Sequence, residues 1–477
     1  WSTLINCASS HIYLKQMNRK CESALENGAE PVRVLSSVLG QNYPSDELEY
    51  SWKKLMQNHP HDSICCCSVD EVQDEMATRF NKSKQVADYL VSEGTRYIAD
   101  KINTKEYEKY KNALPFVVFN TTGRKRTSVV SVEIDVTRKS GWLKKCAYDL
   151  DEINVPNYKL IDSAGNSIPF KIEDLGVRFG YDLPKDKFRQ PYMARRVRVT
   201  FEAENISAVG YKTYALVEGD AEKVTDTLVS GENCMENDAI RVEINKNGSL
   251  NVTDKASGRT YKGVAYYEET GDLGNEYMYK MPEGSKAITT QDTVAKIELA
   301  EDEPYRAMYK ITNTITVPKS GDDNFEDEKR HMVFFKERVG GRSNDTVEMK
   351  IETFVSLDKN GKGVKIKTRF DNEVKDHRVR IMVPTGINSD VHKADSVFEV
   401  VTRNNRHNAG WNNPSGCEHE QGFVSIDDGE KGIAVANIGL YEYEMLPDLD
   451  NTIAVTILRA VGEMGDWGVL PTPKAQC

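Results

Sequence analysis

Gln57-Asn58-His59-Pro60-His61-Asp62-Ser63-Ile64-Cys65-Cys66-Cys67-Ser68 is the stretch from which the rest of the chain is best read. It is a polar turn between two segments of helical periodicity. It sets two imidazoles, a carboxylate and three thiols within nine residues, His59 to Cys67. Burying such groups without partners is costly, and imidazole, thiolate and carboxylate are the donor types zinc takes. One short turn does not close a metal's coordination shell, so the remaining ligands must come from elsewhere.

Working outward from the turn, the first hundred residues read as helices. Ile12, Met17, Cys21 and Leu25 recur at three-to-five-residue spacing, and Gly28 reads as a stop. Pro31 opens a second helix carrying Val32, Val34, Leu35 and Val38, which ends near Gly40. Pro44-Ser45-Asp46-Glu47 offers an N-cap and an acidic first turn for a third, running to about Gln57. Ser68-Val69-Asp70-Glu71 has the form of a capping box and precedes a long helix. Val72, Met76, Phe80, Val86, Leu90, Tyr97 and Ile98 lie on or near one face of it. The His-rich turn therefore sits just before a helix N-terminus, a place suited to holding side chains near a ligand.

The pattern changes at Leu114-Pro115. Val117-Val118-Phe119 and Ser128–Ile134 are β-branched and alternating, with breakers at Thr122-Gly123, Ser140-Gly141, Ala164-Gly165-Asn166 and Asn247-Gly248. This character persists to the C-terminus without a helical periodicity long enough to interrupt it. Two packed antiparallel sheets per β region fit better than a parallel sheet, because no βαβ alternation appears. A composition dip at Gly219–Glu232 marks a boundary. The expected domains are a helical one over 1–112, a small β-sandwich over 113–225 and a large one over 226–477.

The 477 residues carry 63 basic and 74 acidic side chains, a net charge of -11 that argues against nucleic-acid binding. No apolar run reaches the ~20 residues of a transmembrane helix. Nine cysteines, odd in number and scattered apart from the triplet, fit a reducing cytoplasm better than a disulfide framework.

Several motifs together resemble the glycoside hydrolase family 38 α-mannosidases, in the bacterial branch that includes the mannosylglycerate hydrolases. They are Ser10-His11-Ile12-Tyr13-Leu14-Lys15-Gln16, the turn from Gln57 to Cys65, and Asp376-His377-Arg378-Val379-Arg380 with Pro384-Thr385. Gly439-Leu440-Tyr441-Glu442-Tyr443-Glu444, Leu458-Arg459-Ala460-Val461-Gly462 and Gly465-Asp466-Trp467-Gly468 follow in the family's order. The resemblance implies a multidomain α+β architecture: a middle domain built as a three- to four-helix bundle, then antiparallel β-sandwich domains, the large one galactose-mutarotase-like. It also places a catalytic domain before Trp1 and further strands after Cys477.

The same resemblance implies a zinc-dependent retaining hydrolysis of terminal α-mannosides, with an Asp nucleophile, a carboxylic acid catalyst and a covalent glycosyl-enzyme. No separate His-x-Asp pair occurs in this chain, so the nucleophile, the acid and most zinc ligands are expected upstream, and the chain alone is expected to be inactive. His61 is then the one zinc ligand contributed here, against the alternative of a His that only orders a turn. Asp62 is the acceptor for mannose hydroxyls, with a capping or Asx-turn role as its competitor. Tyr277, within Gly274–Tyr279, lines the sugar site or is an ordinary cross-strand aromatic.

His59 reads as structural. Cys65, Cys66 and Cys67 lack the Cys-x2-Cys spacing of zinc knuckles and read as buried, unpaired thiols. Two residues depart from the family: Cys66 stands where it carries Gly, and His11 where it carries Arg. Asp376, Arg378 and Arg380 alternate as an ion-pair ladder would. The expected partners are an α-mannoside, with no nucleic acid and no membrane. The rival reading is a non-catalytic carbohydrate-binding or scaffolding protein of the same fold, and a weaker third is a Cys/His metal-binding regulator built on residues 59–67.

Overall fold

The computed structural model describes residues 4–184, 186–222, 224–406, 416–446 and 448–464. The Gly465–Gly468 motif and the chain beyond it lie outside the described residues.

The N-terminal region is helical: α1 (Ile12–Ala24), α2 (Glu30–Val38), α3 (Ser45–Met56), the single turn α4 (His61–Ile64) and α5 (Asp70–Ala99). Buried positions on α5 recur every three or four residues, at Gln73, Met76, Phe80, Ser83, Ala87, Leu90, Gly94 and Ile98. They close a core with Leu14, Cys21, Leu25 and Leu55.

Two local signals behave differently from their reading. Gly28 does not stop α1, because a π-helical turn, Leu25–Ala29, carries the chain straight into α2. Leu25 and Ala29 are fully buried, and a Cβ on Gly28 would lie 3.0 Å from Val91 Cγ2, so packing on α5 overrides the stop. Ser68 does not cap α5, whose N-cap is Val69, with no side-chain cap. Gln73 Nε2 instead donates to the carbonyls of Cys66 (3.1 Å) and Ser68 (3.0 Å), fastening the turn to the helix.

Close helix contact makes one glycine decisive. A Cβ on Gly94 would sit 2.5 Å from Val32 Cγ1 and 3.1 Å from Arg33 Cδ, in the α2–α5 seam. Gly94→Ala is expected to destabilise by about 1–3 kcal/mol despite its better helix propensity. A thermal midpoint at or above wild type would contradict this.

A small β region follows with β1 (Leu114–Asn120), β2 (Arg126–Lys139), β3 (Tyr158–Asp162), β4 (Ser167–Ile168), β5 (Phe170–Asp182), β6 (Gln190–Ile206) and β7 (Gly210–Glu218). They form two sheets, ordered β1-β7-β3-β4 and β2-β6-β5. Leu160, Val197, Val199, Phe201, Tyr214 and Leu216 fill the space between them.

The large β region distributes its strands over four further sheets, with the strand pairings among the described residues antiparallel. One six-stranded sheet, in which His377–Val383 pairs with both Tyr266–Gly271 and Ile453–Ala460, faces the helices. Two short helices interrupt the β pattern, α6 (Leu143–Asp151) and α7 (Asp323–Arg330). At eight or nine residues they are too short to leave a clear periodicity. Among the described residues no helix is long and apolar enough to cross a membrane, and their eight cysteines are free thiols.

Buried charge in this region sets a pH dependence. Glu420 is fully buried and accepts one bond from Asn437 Nδ2 (2.8 Å). Burial pushes its carboxyl up to about 8, with Asp395 adding to the shift. Above the ordinary glutamate value and up to about 8, the folded state therefore holds a proton that the unfolded state has lost. Stability falls as pH rises through that window and is unaffected below it. Glu420→Gln should remove a few kcal/mol of this loss. Its thermal midpoint should gain on wild type between about pH 5 and pH 8, and parallel curves would refute the assignment.

Candidate active-site wall

The helical region reaches the large β region through a short 3₁₀ turn, Ile5–Ser9. Asn6 Nδ2 and Ser9 Oγ donate to Glu442 Oε2 at 3.0 and 2.7 Å, while Thr456 Oγ1 holds Glu442 Oε1 at 2.7 Å. Gly439, at φ 74°, lies so close to α1 that a Cβ would be 2.7 Å from Gln16 Cα. On the other side, Asn6 N donates to Tyr277 O (3.3 Å) and Tyr279 N donates to Asn6 Oδ1 (2.8 Å).

The loop carrying Tyr277 is held by buried charge. Asp272 Oδ1 accepts from Gly274 N (2.8 Å) and Lys280 N (3.1 Å), closing the loop on itself. Its Oδ2 accepts from Arg459 Nε at 2.7 Å, both side chains having no exposure. Arg459 also donates to the carbonyls of Glu276 (2.8 Å) and Asn275. Asn275 Oδ1 accepts from the amides of Tyr277 and Met278, each at 3.0 Å. Tyr277 is thus a loop residue and not a cross-strand aromatic. Burial, with the Cys67 and Cys7 thiols adding to it, pushes the pKa of its half-buried hydroxyl well above the usual phenol range, leaving it a weaker acid.

The thiols connect Tyr277 to the His-rich turn. Cys67 Sγ lies 3.9 Å from Cys7 Sγ. Hydrogen bonds from Cys67 and Cys7 pull the Cys65 thiol down, with the Lys15 and His61 charges adding to the effect. Cys66 is fully buried at φ 65° and His11 sits at φ 41°, so both departures from the family occupy left-handed backbone. Holding a non-glycine residue there costs on the order of 1 kcal/mol or more. His59 Nε2 hydrogen-bonds Asn18 Oδ1 (2.8 Å), which orders the turn against α1.

His61 and Asp62 face outward, their side chains 80% and 73% exposed, with His61 Nε2 3.2 Å from Asp62 Oδ1. No side chain caps α4, so Asp62 has no capping role there. Among the described residues no third donor joins this pair to make a metal site. Tight zinc binding needs three or four ligands, so His61 and Asp62 by themselves fit only part of a shell. The Asp376–Arg380 ladder is only partly realised. Asp376 stands outside the strand at φ 54°, accepting from Gly321 N (3.0 Å). Arg380 pairs with Glu268 and Glu444, while Arg378 lies 3.5 Å over the Tyr279 ring.

Residues 3–98 match the alpha mannosidase middle domain, 111–218 the glycosyl hydrolases family 38 C-terminal domain 1, and 235–464 the glycosyl hydrolases family 38 C-terminal domain. The chain belongs to glycosyl hydrolase family 38. It is similar to a Halalkalibacterium halodurans protein described as "Putative mannosylglycerate hydrolase". The two are 40% identical over 492 residues, covering all of this chain and 53% of the relative. It also resembles the crystal structure of an alpha-mannosidase from Enterococcus faecalis V583, with a TM-score of 0.95 and 40% identity over all of this chain and 54% of that one. A second family 38 structure from Enterococcus faecalis matches with a TM-score of 0.92 and 40% identity, over 99% of this chain and 56% of that one. The chain spans about half the length of these relatives.

Proposed function

We propose that this chain forms one wall of a zinc-dependent retaining α-mannosidase that hydrolyses terminal α-mannosides. The observation that carries this reading is the outward-facing His61–Asp62 pair, on a turn whose Cys67 thiol lies 3.9 Å from Cys7 Sγ, which in turn lies 4.0 Å from the Glu276 carbonyl of the Tyr277 loop. His61 donates one imidazole to the metal, which when bound supplies Lewis-acid polarisation at a sugar oxygen. Asp62 accepts charge-assisted bonds from vicinal hydroxyls of the mannose ring. Tyr277 presents its ring to the sugar. The nucleophile and the acid catalyst come from residues outside this chain.

A chimera tests this. In it, the chain replaces the matching half of the Enterococcus faecalis alpha-mannosidase. It should hydrolyse an aryl α-mannoside, lose activity on chelation and regain it with zinc. A folded chimera without turnover, or one indifferent to chelation, would count against the proposal.

A further inference from the structure

His11 from the start of α1, Cys66 from the turn before α5 and Glu276 from the 272–280 loop meet in the interior. Their potential ligand atoms all lie within 4.8 Å of one another, with His11 Nδ1 3.9 Å from Glu276 Oε1. All three residues are buried. Zinc bonds of about 2.0–2.3 Å place tetrahedral donors roughly 3.3–3.8 Å apart, so a small contraction would close the set on an ion.

A second observation points the same way. Among the described residues, neither carboxylate oxygen of the fully buried Glu276 accepts a hydrogen bond. The neighbouring Ser10 hydroxyl is committed to the carbonyls of Cys7 (3.0 Å) and Cys65 (2.9 Å). A buried carboxylate left in that state is costly, and a cation bound by both oxygens would remove the cost.

We propose that His11, Cys66 and Glu276 bind one divalent transition-metal ion of the zinc class. A bidentate Glu276, the imidazole and the thiolate supply four donor atoms of mixed N, O and S type. Binding releases the Cys66 thiol proton, and the proton that burial leaves on the Glu276 carboxyl, to solvent, and the resulting thiolate and carboxylate charges balance the dication. Lys15 Nζ, 3.2 Å from Cys66 Sγ and 3.1 Å from Ser10 Oγ, donates to the metal-bound sulfur from outside the shell. The ion would tie α1, the His-rich turn and the Tyr277 loop together, a structural role independent of the glycosidase reading.

The test titrates Co(II) into the chelator-treated 477-residue chain and follows the thiolate-to-metal charge-transfer and d–d absorption. One equivalent should saturate the bands, and zinc should raise the thermal midpoint of the same preparation. Cys66→Gly suits the φ of 65° and so should fold. It should abolish the charge-transfer band and the zinc-induced shift. Glu276→Gln should weaken Co(II) binding at least 10-fold, and His61→Ala should leave the spectrum unchanged. The proposal is overturned by no band at one equivalent, by a band that survives Cys66→Gly, or by one that depends on Cys65 or Cys67 instead. A chain without metal whose stability falls in Lys15→Met would show that the Lys15 ammonium is the cluster's only cation.

Discussion

Replacing His61 by Ala in the chimera is expected to lower kcat/KM by about 10³-fold or more, the ~4 kcal/mol of transition-state stabilisation that a bound metal typically supplies. The side chain is 80% exposed and pairs with the equally outward-facing Asp62, so its removal should cost little stability. Activity and folding are therefore separable in this variant. Unchanged thermal unfolding with lost zinc and lost turnover would place the ligand on His61. Zinc content and kcat/KM both equal to wild type would eliminate it from the metal site.

Arg459→Met is expected to destabilise the chain by about 3–5 kcal/mol, since it leaves the Asp272 carboxylate buried without its charged partner. The effect should be local before it is global. The Tyr277 loop loses its hold on the Asn275 and Glu276 carbonyls as well as on Asp272. Hydrogen exchange should rise first over residues 272–280 and then over the Ile5–Ser9 turn that hydrogen-bonds to it. Adding Asp272→Asn should recover part of the loss, because the second change removes the stranded charge. A stable Arg459→Met with unaltered exchange in the loop would mean that the buried pair does not hold it.

The helices were legible because their apolar spacing is periodic and their packing is largely with one another. α5 shows this best: Met76, Phe80, Leu90 and Ile98 are all buried as their spacing requires. Signals that depend on a partner were less readable. Gly28 looks like a stop until α5 is brought against it, and Ser68 looks like a cap until Gln73 takes over the turn's carbonyls. The buried cluster was the least visible. His11, Cys66 and Glu276 are separated by 55 and 210 positions in the chain, and no spacing rule joins them.

Residue chemistry and periodicity determined a helical region followed by antiparallel sheets, and the motif order tied that plan to family 38. The surroundings of the quoted side chains were decided only by tertiary structure. Glu442 docks the Ile5–Ser9 turn, Gly439 lies against α1, Arg459 and Asp272 hold the Tyr277 loop, and Cys7 stands between that loop's Glu276 carbonyl and Cys67 of the His-rich turn. The physical reason is that burial and hydrogen bonding between distant segments decide which polar groups face solvent. His61 and Asp62 end up exposed, while His11, Cys66 and Glu276, no more apolar as residue types, end up inside.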